Sequence, residues 1–163
     1  MNNMELTADD KIILLNIRKG FDIMSDLVDL TGWPGERVNH IIEKLDQQRF
    51  IERESLISVG FWKFNLTSKG ESQLPPLDAR EKELSKHEMH SFDIPILKET
   101  ERRGKTRAVD VVAKLSEQQQ LQKLEIAASV IKLIRLGYLE ESGFLRRFIK
   151  ITPKGTDILT KIV

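Results

Sequence analysis

The residues best equipped for chemistry are few, and their spacing does not build a catalytic site. His87 and His90 lie three apart in His87-Glu88-Met89-His90. That spacing is not the zinc-protease pattern, and no third ligand stands nearby, so two polar linker histidines are the simpler reading and no metal is expected. The chain has no cysteine, which excludes disulfides and thiolate metal sites and fits a reducing cytosol. There is no glycine-rich phosphate loop and no nucleophile elbow. Neither a cofactor nor an enzymatic activity is expected.

Cations are the remaining chemical resource. The whole chain is near neutral, with a net charge of +1. Divided, residues 1–75 carry 9 Lys and Arg against 12 Asp and Glu, and residues 91–163 carry 14 against 9. The C-terminal half is therefore the better match for phosphates. Arg102, Arg103, Lys105 and Arg107 gather around one turn, and Arg146 and Arg147 follow Phe144 in another. The alternative is ordinary solvated charge.

The elements that would position these groups follow from periodicity and punctuation. Thr7 and Asp10 form a capping-box pattern that starts a helix burying Ile12, Ile13, Leu15 and Ile17 and stopping at Gly20. A short helix after Asp22 presents Leu27, Val28 and Leu30. Pro34 opens a third helix whose Val38, Ile41, Ile42 and Leu45 recur at i, i+3, i+4, i+7. Two β-prone runs follow, from Phe50 and from Phe61, turning at a loop with Gly60; Phe61, Trp62 and Trp33 are expected to pack into the core. Residues 76–90 read as a linker that becomes a solvated helix. The order then recurs: a helix with Ile94, Ile96 and Leu97 ending near Gly104, a second capped by Thr106 and holding Val109, Val111, Val112 and Leu115, a third from about Leu121 to Leu136, and a hairpin turning near Gly143.

The recurrence extends to residue types. Leu45, Phe50, Ile51 and Glu52 match Leu133, Tyr138, Leu139 and Glu140, and Leu66-Thr67-Ser68-Lys69-Gly70 matches Ile151-Thr152-Pro153-Lys154-Gly155. A third helix ending in leucine, a short aromatic–aliphatic strand, a turn, and a strand ending in Leu/Ile-Thr-x-Lys-Gly resembles the winged-helix superfamily, including MarR-like regulators. The fold class expected is mainly α with small β-hairpins: a winged-helix domain over 1–75, a linker over 76–90 and a second winged-helix domain over 91–163.

The resemblance implies a DNA-binding protein, a transcriptional regulator whose third helices enter the major groove and whose wings touch the backbone or minor groove. Double-stranded DNA is then the expected partner. Candidate contacts are Arg37, Asn39, His40, Lys44 and Gln47 on the first third helix, Lys132 and Arg135 on the second, the turn cations Arg102, Arg103, Lys105 and Arg107, and Arg146 and Arg147 in the second wing. Leu124, Ile131 and Ile134 make the second third helix apolar on several sides, which points instead to a homodimer or protein partner through the C-terminal domain. An adaptor or complex subunit built from tandem winged helices is the alternative function. No run approaches the roughly 18 apolar residues of a membrane span, and no secretory signal opens the chain, so a soluble cytoplasmic protein is expected.

Overall fold

The computed structural model describes residues 5–56, 61–118 and 123–162, and of Leu56, Phe61 and Arg146 the backbone only. The chain divides into two units, residues 1–89 and 90–163. Both are mainly helical with small antiparallel hairpins. No helix among the described residues is long and apolar enough to cross a membrane.

In the first unit, α1 (Ala8–Arg18) begins at Thr7, whose hydroxyl accepts from the Asp10 amide while the Asp10 carboxylate accepts from the Thr7 amide. Two otherwise orphaned donors are satisfied at once, so the helix start is fixed. The helix is rotated relative to expectation. Leu14 is fully buried with Ile13 and Ile17, whereas Ile12 is 40% exposed and Leu15 only half-buried. Next come α2 (Met24–Thr31) and α3 (Gly35–Gln47), with Pro34 as the residue before the helix rather than its first turn. The stripe of Val38, Ile41, Ile42 and Leu45 packs against α1, α2 and the hairpin in one core. Each such side chain contributes about 1.5–3 kcal/mol by leaving water.

The hairpin of β1 (Ile51–Leu56) and β2 (Phe61–Leu66) pairs Ile51 with Leu66 through Leu56 with Phe61. Its turn, with Gly60, lies outside the described residues. Phe64 is buried in the core, but Trp62, expected there, is 49% exposed. It sits two residues further from the hairpin base, opposite Ser55. Trp33 is partly buried against the core as anticipated. A bridge from Ile23 to Lys63 adds a one-residue third strand. After α4 (Ser68–Glu71), the segment expected to be a solvated linker helix forms α5 (Ala79–Ser85), with Leu84 fully buried.

The second unit runs α6 (Asp93–Arg103), β3 (Thr106–Arg107), α7 (Ala108–Gln118), α8 (Lys123–Arg135), β4 (Leu139–Ser142), a turn at Phe144–Arg146, β5 (Phe148–Ile151) and α9 (Pro153–Ile162). The sheet order is β3-β5-β4. Thr106 is not a helix cap. It pairs with Ile149 in the sheet, and α7 starts two residues later, its Ala108 amide donating to the Arg147 carbonyl at 3.2 Å.

The shared Thr-x-Lys-Gly sequence is a latch on the third helix of each unit. The Thr67 hydroxyl donates to the Arg49 carbonyl at 2.6 Å and accepts from the Gly70 amide at 3.1 Å. Lys69 donates to the Gln48 carbonyl at 2.8 Å and lies 4.4 Å from the Phe50 ring centre. In the second unit Thr152 reaches Gly137 at 2.6 Å, and Lys154 reaches Leu136 at 2.6 Å and the Tyr138 ring at 4.4 Å. Carbonyls of the two residues just past α3 and α8 are thus closed by a hydroxyl and an ammonium, a favourable charge near a helix C-terminus. These bonds tie the end of each third helix to the exit of its hairpin.

Candidate interaction surfaces

On α3 the outward side chains are Glu36, Arg37, Asn39, His40, Glu43 and Gln47. The groups expected to read DNA are mostly occupied. Arg37 is bound by Asp9 and stacks over Trp33, 4.2 Å from the ring centre. Lys44 is half-buried and donates to Asp10 at 2.7 Å. Burial pushes the Asp10 carboxyl up, but hydrogen bonds from Lys44 and Thr7 outweigh it and hold it below the usual range. Asn39 contacts Glu43 at 3.5 Å. His40 and Gln47 are exposed. The acidic first turn of α1 therefore neutralises much of the positive charge that α3 carries.

The turn cations of the second unit are similarly engaged. Glu99 accepts from Arg102 at 2.6 Å and from Arg103 at 2.7 Å, and Asp110 holds Arg107 at 3.0 Å. Hydrogen bonds from Arg102 and then Arg103 lower the Glu99 carboxyl from 4.5 to about 2. A carboxylate with a depressed folded value contributes stability above its unfolded value and loses it as pH falls. The contribution of Glu99 is therefore expected to disappear between about pH 4.5 and 2. In acid titrations of thermal stability, Glu99→Gln should show a flatter fall over that window; a slope equal to wild type would mean the arginines do not hold this carboxylate in solution.

Lys105 is exposed and lies 5.2 Å from the Phe148 ring centre; Arg147 is also exposed, while the side chain of Arg146 lies outside the described residues. Beside them the second wing carries Phe144 and Leu145 at 85% and 65% exposure, with Leu145 at a φ of 58°. Val109, adjacent to Ala108 and its bond to Arg147, is 66% exposed. Val109 was expected on the apolar face of its helix with Val111 and Leu115, and the exposure of Phe144 and Leu145 carried no sequence signal; helix-period apolar residues read as core unless something shows that the core is already full.

Lys132 corrects the DNA-contact assignment. It is wholly buried, donating to Asp93 at 2.6 Å, with both side chains 0% exposed. The His90 amide also donates to Asp93, at 2.9 Å, so His90 is a buried residue at the start of α6 rather than a solvated one. A lysine shielded in this way cannot reach a phosphate. The opposite face of α8 is apolar instead: Leu124 and Ile131 are 59% and 57% exposed, Ile134 and Ala127 are half-buried, and Lys123 and Arg135 are exposed on either side.

No known family and no curated protein matches the chain. Among solved structures, a crystal structure of ScpB from Mycobacterium tuberculosis is similar, with 15% identity over 95% of this chain and 98% of that chain and a TM-score of 0.30.

Proposed function

We propose that this protein is a non-catalytic subunit of a larger assembly, built from two winged-helix units in tandem and binding protein through the second. The supporting observation is the outward face of α8. Helices that read a groove present hydrogen-bonding side chains there. Here the face offers Leu124 and Ile131, and Lys132 is turned inward against Asp93. Large apolar side chains exposed together on one helix face favour association with another macromolecule. The acidic balance of residues 1–75 and the pairing of Arg37 and Lys44 with aspartates weigh the same way.

A DNA-binding regulator is the second reading, favoured by the positive balance of residues 91–163 and by exposed Lys105 and Arg147 near β5. Titrating salt against binding to random-sequence duplex separates the two. A subunit of the proposed kind is expected to lose all measurable duplex binding by roughly 0.15 M salt, the physiological range. Binding that survives there, falls steeply with further salt and weakens uniformly in Arg147→Ala would replace the proposal with the regulator.

A further inference from the structure

We infer that the outward seam of α8 docks an acidic amphipathic helix supplied by a partner protein, an inference that rests on the interaction-subunit reading above. With Leu124 as position a of a heptad, Ala127 falls at d, Ile131 at the next a and Ile134 at the next d. All four are apolar, and none is fully buried: Leu124 and Ile131 are exposed, Ala127 and Ile134 half-buried. The seam runs for roughly 15 Å along the helix at 1.5 Å per residue. Ala127, between larger neighbours, leaves a notch that a partner side chain can enter.

The flanks decide what kind of helix fits. Lys123 occupies a g position and Arg135 an e position, one on each edge, and both are exposed. Within α8 the single acidic residue, Glu125, is at b, turned away from the seam. The other b residue, Lys132, and the c and f residues Ile126, Ser129 and Leu133 are buried in the unit itself. A second copy of the chain would bring basic edges onto basic edges, which disfavours self-pairing. A helix with apolar a and d positions and glutamate at e and g satisfies both the seam and its rims. Thr152 and Lys154 bond the Gly137 and Leu136 carbonyls just past the end of α8, so the helix is anchored before a partner docks, which lowers the ordering cost of docking.

The test uses the full chain and two labelled peptides of about three heptads, both with leucine at a and d, one with glutamate and the other with lysine at e and g. Fluorescence anisotropy is expected to show the acidic peptide binding at least about tenfold more tightly than the basic one, and Ile131→Glu weakening it by a similar factor. The double substitution Lys123→Glu with Arg135→Glu is expected to reverse the preference, a gain that misfolding cannot produce. Equal binding of both peptides, or a preference unchanged by the double substitution, overturns the inference. If neither peptide binds but sedimentation shows self-association that Ile131→Glu abolishes, the acidic partner is wrong and the interaction-subunit reading stands. If neither binds and the chain holds duplex DNA with a steep salt dependence, both fall.

Discussion

Replacing Lys132 with methionine is expected to destabilise the second unit by about 3–5 kcal/mol, because it leaves a buried carboxylate without its counter-charge. Lys132 and Asp93 are both 0% exposed, and their 2.6 Å contact joins α8 to the first turn of α6. Burial pushes the Asp93 carboxyl above its usual range, and Lys132, the His90 amide and Ser129 pull against it. Methionine preserves the bulk of the lysine stem, so little of the loss comes from a cavity. For a domain of this size the midpoint should fall by about 15–30 °C in far-UV circular dichroism, enough to unfold a marginal unit at physiological temperature.

Two further measurements separate charge from packing. In Lys132→Met the carboxyl loses its main opponent to burial, so its folded value rises further above the ordinary 3.8. The folded state then binds a proton more readily than the unfolded one, and the stability of the variant should increase as pH falls toward that value. Adding Asp93→Leu removes the orphaned charge and should recover most of the loss. A Lys132→Met protein as stable as wild type at neutral pH would show that the pair is not buried in solution.

The same pair marks where sequence reading stops. The element order and the α3 stripe were legible because apolar spacing at 3.6 residues, a capping box and a proline act locally. The partner of Lys132 is 39 positions away, and no local pattern links them. A lysine between Ile131 and Leu133 therefore read as a polar residue of the outer face, when it is in fact buried against Asp93. The same blindness to long-range contacts assigned Thr106 to a cap instead of a two-residue strand, since only pairing with Ile149 distinguishes them. Ile12 and Trp62 failed for a related reason: apolar type predicts burial only while core volume remains to be filled. Leu124 and Ile131, by contrast, were identifiable as surplus apolar residues because the stripe of Ile126, Val130 and Leu133 already accounted for the inward face.

The matched glycines of the latch allow the other large effect to be tested twice in one chain. A Cβ at Gly70 would stand 2.1 Å from the Phe50 carbonyl oxygen, and one at Gly155 would stand 2.3 Å from that of Tyr138. Both contacts are to backbone, which cannot rotate aside as a side chain can. Helix propensity alone would favour alanine by about 1 kcal/mol. Overpacking against a fixed oxygen opposes this, and the net expectation is destabilisation of about 2–3 kcal/mol at each site. Displacement of the oxygen would also weaken the Thr67 and Thr152 amide bonds to these carbonyls, both 3.1 Å. Trp33 and Trp62 are the only tryptophans and belong to the first unit, so tryptophan emission reports Gly70→Ala, while circular dichroism reports Gly155→Ala. Ile151 adds a difference: its Cγ1 lies 2.7 Å from the position of a Cβ at 155, and a flexible side chain can retreat. Measured against Ile151→Ala alone, which removes that atom, Gly155→Ala should therefore cost only slightly less, leaving the backbone share. Two neutral substitutions would mean that the latch does not tie third helix to hairpin, and that the Thr-x-Lys-Gly recurrence has another cause.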